Sequence, residues 1–347
     1  MEIPVVQARE LFTKALIAVY KERTTPKSFL RSFFRVVESG SKMLSIEVQR
    51  GTEKIAVDVE RGTEGNRNSF SRSTEKIFVP PYYREYFDAT QMDLYDRLFA
   101  ASGTIDEVVF SDFINAVADK LRSLQEKIER AYEKQCADVL LDGIVPLQSG
   151  VNIDFKRKAG SLVDLGGGSY WTDSVNPYTT LETGANFIRK EGKFGGNVIN
   201  AILGSEAMAA FLDNADVKER ADIKNFSLDQ IREPQRVADG TLHGRVSAGA
   251  YMVNLWTYNE FYTNSSGVAT PFIDPTKVIL LPEQTNFVLG FAAVPQLITE
   301  GITTTKGAYV FGEYVDQRKV AHVFDIKSAG VAIPVAVDTI YTVKTVA

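Results

Sequence analysis

Two histidines, one cysteine and a run of three glycines are the residues here whose types could do chemistry. Their spacing argues against each. His243 and His322 are far apart, and neither lies in a His-Glu-x-x-His pattern. The chain has no Gly-x-Ser-x-Gly and no Gly-x-x-x-x-Gly-Lys. An imidazole brought into place by folding can still act as a general base, but Lys319–Phe324 reads as an alternating strand that puts His322 in a core or at an edge. Cys136 falls late in a long helical stretch at a near-apolar position, so it reads as a small buried hydrophobe and not a nucleophile. Gly166-Gly167-Gly168 lacks the Gly-x-Gly-x-x-Gly spacing of a phosphate cradle. Ser169-Tyr170-Trp171 after it reads as strand, which predicts a flexible hairpin tip. A hydrolase or transferase built on Asp229, His243 and Ser247 stays open as a competing reading, without a nucleophile motif. No catalytic, cofactor or metal site is predicted.

The elements that would position any site come next. The 347 residues are 44% hydrophobic and 24% charged, with a formal net charge of −5. That length predicts about two domains and a sizeable core, and the composition argues against wholesale disorder. No apolar run reaches the roughly 18 residues of a helical membrane span, so no membrane partner is expected. The Ala15–Tyr20 run, hemmed by Lys14 and Lys21, does not read as a secretory signal. A single cysteine excludes an intramolecular disulfide and predicts folding in a reducing cytoplasm.

Residues 1–35 hold seven Lys/Arg against three Glu, a local charge of +4. Ala8, Leu11, Phe12, Ala15, Leu16 and Val19 recur at helical spacing until Pro26. Period-two alternation follows at Leu44, Ile46 and Val48, again at Ile55, Val57 and Val59, and returns at Ile77 and Val79. The stretch between carries Arg61, Glu64, Arg67 and Arg72. This predicts a long β-ribbon with a charged tip. An isolated hairpin is marginal in water, so the ribbon must lie on its own body or on another chain. Tyr82–Phe87 reads as an aromatic connector.

From Ser111 to Asp142, apolar residues fall at Ile114, Val117, Leu121, Leu124 and Ile128 and continue through Tyr132, Cys136 and Val139. Ser111 or Asp112 is the expected cap and Gly143 the stop. Such a helix runs roughly 45 Å and is alone of its kind, so it reads as a spine across a sheet. Val151–Lys156 and Ser161–Leu165 read as a hairpin pair. Asn176-Pro177 opens a second, α/β unit: helix Thr179–Lys190, strand Val198–Leu203, helix Ser205–Ala221, then strands at Met252–Thr257, Val278–Leu281 and Phe287–Phe291. Val320–Ala332 and Ile340–Val346 are strand-like and are expected to rejoin the first sheet.

This order of parts resembles the major capsid proteins of tailed bacteriophages, in the lambda-type branch of the Hong Kong 97-like fold. The carriers are Ser28-Phe29-Leu30-Arg31-Ser32-Phe33-Phe34-Arg35 before the ribbon, Phe78-Val79-Pro80-Pro81, the spine, and the closing strands in Arg318–Ala332 and Asp338–Val346. The resemblance implies an α+β fold: N-terminal arm 1–37, E-loop ribbon 38–82, peripheral domain 83–176 with the spine at 111–142, axial domain 177–292, and a return to the peripheral domain over 293–347. It implies a structural function, with hexamers and pentamers tiling an icosahedral shell around packaged double-stranded DNA. The ribbon residues Leu44, Ile46, Val48, Ile55, Val57, Val59, Arg61, Glu64, Arg67 and Arg72 would then contact a neighbouring copy. Lys21, Arg23, Lys27, Arg31 and Arg35 would face the inner surface or a scaffold. A scaffolding protein, a portal and a decoration protein are implied partners, with assembly in the host bacterial cytoplasm and residence in the virion. Because the chain starts almost at the arm, a separate scaffold or prior cleavage is expected. Some relatives crosslink a ribbon Lys to a neighbour's Asn; Lys54, Lys76, Asn66 and Asn68 are placed for it, but no buried acid is evident and no crosslink is expected. An encapsulin-like nanocompartment shell shares the fold and is the nearer alternative.

Overall fold

The computed structural model describes residues 28–48, 74–90, 107–147, 152–173, 175–223, 235–237, 239–298, 301–316, 318 and 321–347. A 3₁₀ turn, Leu30–Phe33, leads into β1 (Phe34–Glu38), β2 (Leu44–Val48), β3 (Thr74–Phe78) and β4 (Tyr83–Thr90). The long helix α1 (Glu107–Leu141) is followed by β5 (Ile144–Val145), β6 (Ile153–Asp154) and β7 (Leu162–Asp164). Then come α2 (Pro177–Glu191), β8 (Val198–Leu203), α3 (Ser205–Asp213), α4 (Ala215–Ile223), β9 (Gln235–Val237), β10 (Gly240–Ala248) and β11 (Tyr251–Thr257). Strands β12 (Phe261–Thr263), β13 (Ala269–Pro271), β14 (Lys277–Pro282), β15 (Phe287–Phe291), β16 (Val294–Ile298) and β17 (Gly301–Thr305) continue the chain. It closes with β18 (Val310–Asp316), β19 (Ala321–Ser328), β20 (Gly330–Pro334) and β21 (Tyr341–Lys344).

Seven strands form one mixed sheet in the order β7-β21-β14-β8-β11-β10-β9. Its central strands β8 and β14 read Val-Ile-Asn-Ala-Ile-Leu and Lys-Val-Ile-Leu-Leu-Pro because both faces are covered. Ile202, Ile279 and Leu281 join the core around α1. Ile199, Ala201, Leu203, Val278 and Leu280 pack with Leu181, Ala185 and Ile188 of α2 in a second core. Asn176 caps α2 by accepting the Tyr178 N–H, with Pro177 in its first turn. The expected helix Ser205–Ala221 is two helices. Asn214, in extended backbone, ends α3; its amide donates to Trp171 O and Val175 O, and its oxygen accepts the Asp216 N–H at 3.1 Å, opening α4.

Helix α1 has 35 residues, about 52 Å of rise, and begins four residues before the expected cap. Ile114, Val117, Leu121, Leu124, Ile128, Tyr132, Cys136 and Val139 are all buried, as their spacing predicts. Gly143, at φ +74°, stops it in the left-handed region, its N–H returning to Val139 O at 3.0 Å. Arg157 closes the same end: Nη1 donates to Leu140 O and Leu141 O, Nη2 to Ser161 O and Ile340 O, and both nitrogens to Thr342 Oγ1. Burial lowers the guanidinium pKa to about 10, opposed by the charge of Asp142.

Five further expectations need correction. Tyr82–Phe87 is not a connector: from Tyr83 it is strand β4, paired along its length with β19. Tyr83 and Phe87 pack towards the α1 core while Arg84 and Tyr86 are exposed, so aromatic and polar residues mix along it and hide the period. Ser169-Tyr170-Trp171 is not strand; a 3₁₀ turn at Trp171–Asp173 follows the glycines. Asp164 accepts the Gly166 N–H, and Asp173 accepts those of Gly168 and Tyr170, so carboxylates tie the loop. The Val151–Leu165 stretch does not close on itself as a hairpin pair, since β6 pairs with β5 and β7 with β21. Finally, β19 does return to β4, but β21 enters the seven-stranded sheet between β14 and β7. Strand β15, expected with 177–292, instead lies between β1 and β20.

Candidate assembly surface

The ribbon's root is the antiparallel pair β2–β3, with Leu44 opposite Phe78, Ile46 opposite Lys76 and Val48 opposite Thr74. Among the described residues it joins no other sheet. Leu44 is 4% exposed and lies over Gly290, where a Cβ would stand 2.8 Å from Leu44 Cδ1. Leu44 is therefore not a surface for a neighbour: it anchors the root in its own core, because glycine in β15 opens the space. Ile55, Val57, Val59, Arg61, Glu64, Arg67 and Arg72, like Lys54, Asn66 and Asn68, lie outside the described residues.

Beside the root, the end of the arm is fastened to α1. The Leu30 N–H donates to Glu133 Oε1 at 2.8 Å and the Arg31 N–H to Oε2 at 3.1 Å. One buried carboxylate thus takes two free donors at the start of the 3₁₀ turn. Arg31 Nη1 lies 3.6 Å from Glu129 Oε2. Phe29 packs among Phe33, Trp256 and Tyr258 with ring centroids 5.3 to 5.5 Å apart. A Cβ at Gly240 would run into the Phe29 ring. Gly240→Val should displace Phe29 and cost about 2 kcal/mol; proteolysis near residue 28 should accelerate, and unchanged cleavage would count against the clamp.

Arg31, expected to face the inner surface or a scaffold, is only partly exposed, with its guanidinium held against Glu129. Arg35 is exposed on β1. Lys21, Arg23 and Lys27 lie outside the described residues. Glu129 and Glu133 were not among the expected site residues. The available signal was Gln125, Glu129 and Glu133 at four-residue spacing beside the apolar stripe; all three are buried. Burial raises both carboxyls above their ordinary 4.5, opposed at Glu133 by the Leu30 amide and at Glu129 by the Gln125 hydrogen bond and Arg31.

Among the described residues, the candidate chemical residues do not converge. His243 sits at a bulge in β10, its Nε2 2.7 Å from Thr257 Oγ1, and burial lowers its pKa. Ser247 is four residues along the same strand, and Asp229 lies outside the described residues. His322 is half-buried in β19, its ring tilted 38° against Phe324 with centroids 4.3 Å apart and Glu313 Oε2 3.9 Å away. Cys136 is fully buried, which pushes its thiol well up.

The sequence pattern of the family described as phage major capsid protein E matches residues 12–345. The chain belongs to this family. It is a phage major capsid protein, a structural subunit of the virion's shell. No curated protein sequence matches it. The fold is similar to that of a prophage protein from Escherichia coli CFT073 assigned as a capsid protein, with TM-score 0.66 and 16% identity over 96% of this chain and 99% of that one. It is also similar to a phage-related protein from Bordetella bronchiseptica RB50, with TM-score 0.57 and 11% identity over 96% of each chain. The α+β architecture is thus the Hong Kong 97-like capsid fold.

Proposed function

We propose that this capsid protein forms hexamers and pentamers that close into an icosahedral shell around packaged double-stranded DNA, with each ribbon lying across a neighbouring copy. The observation that carries this reading is the ribbon's root: a two-stranded pair joined to no other sheet among the described residues, seated in its own chain through Leu44. In the sequence, Ile46, Val48, Ile55, Val57 and Val59 alternate with polar residues and Arg61, Glu64, Arg67 and Arg72 form a charged run between the strands, a pattern suited to another subunit's surface. Many weak contacts hold each subunit at high effective concentration. The division into arm, ribbon, peripheral and axial parts is proposed with two changes: β21 goes to the axial sheet, and β15 to the arm-side sheet with β1 and β20. Lys21, Arg23, Lys27 and Arg35 are proposed for the inner surface, facing DNA or a scaffolding protein. A portal and a decoration protein complete the proposed partners, with assembly in the host cytoplasm. The role is structural and not enzymatic.

Deleting residues 62–72 should leave a soluble chain that no longer forms shells. Size-exclusion and electron microscopy of wild type and deletion check this. Normal shells from the deletion would remove the ribbon tip from assembly, and a wild-type chain that stays a small oligomer under all salt and concentration conditions would overturn the shell reading.

A further inference from the structure

We propose that a cavity between α1 and the ends of β10 to β13 is the docking site for the basic segment preceding Ser28, and that it holds the Lys27 ammonium of the same chain. The cavity has a volume of about 260 Å³, below the roughly 300–1,000 Å³ of a cofactor-sized pocket and suited to one long side chain. Its walls carry Glu126, Glu129 and Glu133 from α1, Asp239 before β10 and Glu260 before β12. Among the described residues that line it, Arg130 is the one cation. Glu133 takes the Leu30 and Arg31 amides, and Glu126 pairs with Arg122 at 3.2 Å. Glu129, 4% exposed, lies 3.6 Å from Arg31 through Oε2, a buried atom that accepts no hydrogen bond. Burial, and with it the charges of Glu133, Glu260 and Asp239, pushes the Tyr258 phenol up, so the excess negative charge reaches the aromatic wall.

The occupant follows from where the described arm begins. Ser28 is itself a wall of the cavity, so the Cα of the residue before it lies about 3.8 Å from that of a wall residue. That residue is Lys27, in a segment, 21–27, that holds three cations and one Glu. A tether this short gives a high effective concentration. Lysine also matches the rest of the lining, Tyr258, Phe261 and Phe272. Its four-carbon stem can lie along the rings, Phe261 being 59% exposed, while the charged head stays among the carboxylates. One point of the proposed function is refined: Lys27 meets its own chain, leaving Lys21, Arg23 and Arg35 for DNA or a scaffolding protein. The arm is then pinned on both sides of Ser28, and its direction away from α1 is fixed before any second copy arrives.

The test is zero-length carbodiimide coupling of the unassembled full chain, mixed from light and heavy-isotope preparations and read by mass spectrometry. Such coupling joins an ammonium to a carboxylate in direct contact, and Lys127, 2.7 Å from Glu85 Oε2, is the internal standard. Lys27 should be found joined to Glu260 or Asp239 within one isotopic form. Coupling of the standard without a Lys27 product overturns the proposal. So does Lys27 joined across isotopic forms, which would make the occupant another copy's arm, or Lys21 in its place. A second measurement compares acetylation of Lys27 in wild type and in Asp239→Asn with Glu260→Gln. Glu260 is exposed, and asparagine tolerates the φ of +69° at Asp239, so the variant should keep the fold. Relative to Lys127, Lys27 should react at least about threefold faster in the variant; equal rates overturn the proposal. Shells are scored separately by electron microscopy. A chain that couples as expected but builds none overturns the shell reading alone, whereas shells from a chain without the Lys27 product overturn this proposal alone.

Discussion

Arg157→Met should destabilise the folded chain by about 3 kcal/mol, a large effect for one substitution. The guanidinium is the shared donor for carbonyls from three places: Leu140 and Leu141 at the end of α1, Ser161 before β7, and Ile340 before β21. Methionine keeps much of the volume and removes every donor, so the Leu141, Ser161 and Ile340 carbonyls lose the guanidinium, while Leu140 O keeps Thr342 Oγ1. The cost is therefore one of polar groups left unpaired and not of lost packing. Lysine, with one nitrogen, cannot span the set, so Arg157→Lys should recover little. Urea unfolding of the unassembled chain measures both; a loss below about 1 kcal/mol for Arg157→Met would mean water replaces the guanidinium and that the spine end is not tied by it.

Glu133→Ala should cost about 2 to 4 kcal/mol and detach the arm from α1, because the Leu30 and Arg31 amides lose their acceptor in a buried place. The same carboxyl predicts a pH dependence of definite sign. Glu129, Glu133 and Asp138 are all raised by desolvation, so the folded chain binds their protons more tightly than the unfolded one. Their burial penalty is fully present above the raised values, is relieved as pH falls through them, and is gone below the ordinary values, 4.5 for the two glutamates and 3.8 for Asp138. These three groups therefore make the chain more stable on mild acidification, down to those values. Glu133→Gln should shrink this gain and also lose the acceptor for the Arg31 amide. Melting curves across that range for wild type and Glu133→Gln decide it; identical pH slopes would contradict the assignment to Glu133.

Where a local rule governs, sequence and structure agree. Strands Val198–Leu203 and Phe287–Phe291 appear with the expected bounds because their apolar runs are covered on both faces. The spine's buried stripe follows its three-four spacing, and Gly143 stops it. What was not legible depends on partners distant in sequence. Strand β4 is defined by its ladder to β19, more than two hundred residues away, and its mixture of Tyr, Arg, Glu and Asp carries no period. Asn214 is a polar residue inside an apolar helical pattern, and only Trp171 and Val175 show why it breaks the helix. Leu44 alternates like Ile46, yet Gly290 alone decides that it turns inward. The arm's fastening was invisible for the same reason: Glu133 and Leu30 are 103 residues apart, and a glutamate on a helix reads as a solvated face until the arm covers it.

The central claim is that the ribbon beyond Leu44 finds its place on another copy of the chain. Single-particle cryo-electron microscopy of the purified full-length protein at assembling concentration tests it most directly. The account predicts closed shells in which each ribbon crosses a neighbouring subunit. A monodisperse small species with the 45–78 ribbon folded against its own body would contradict it.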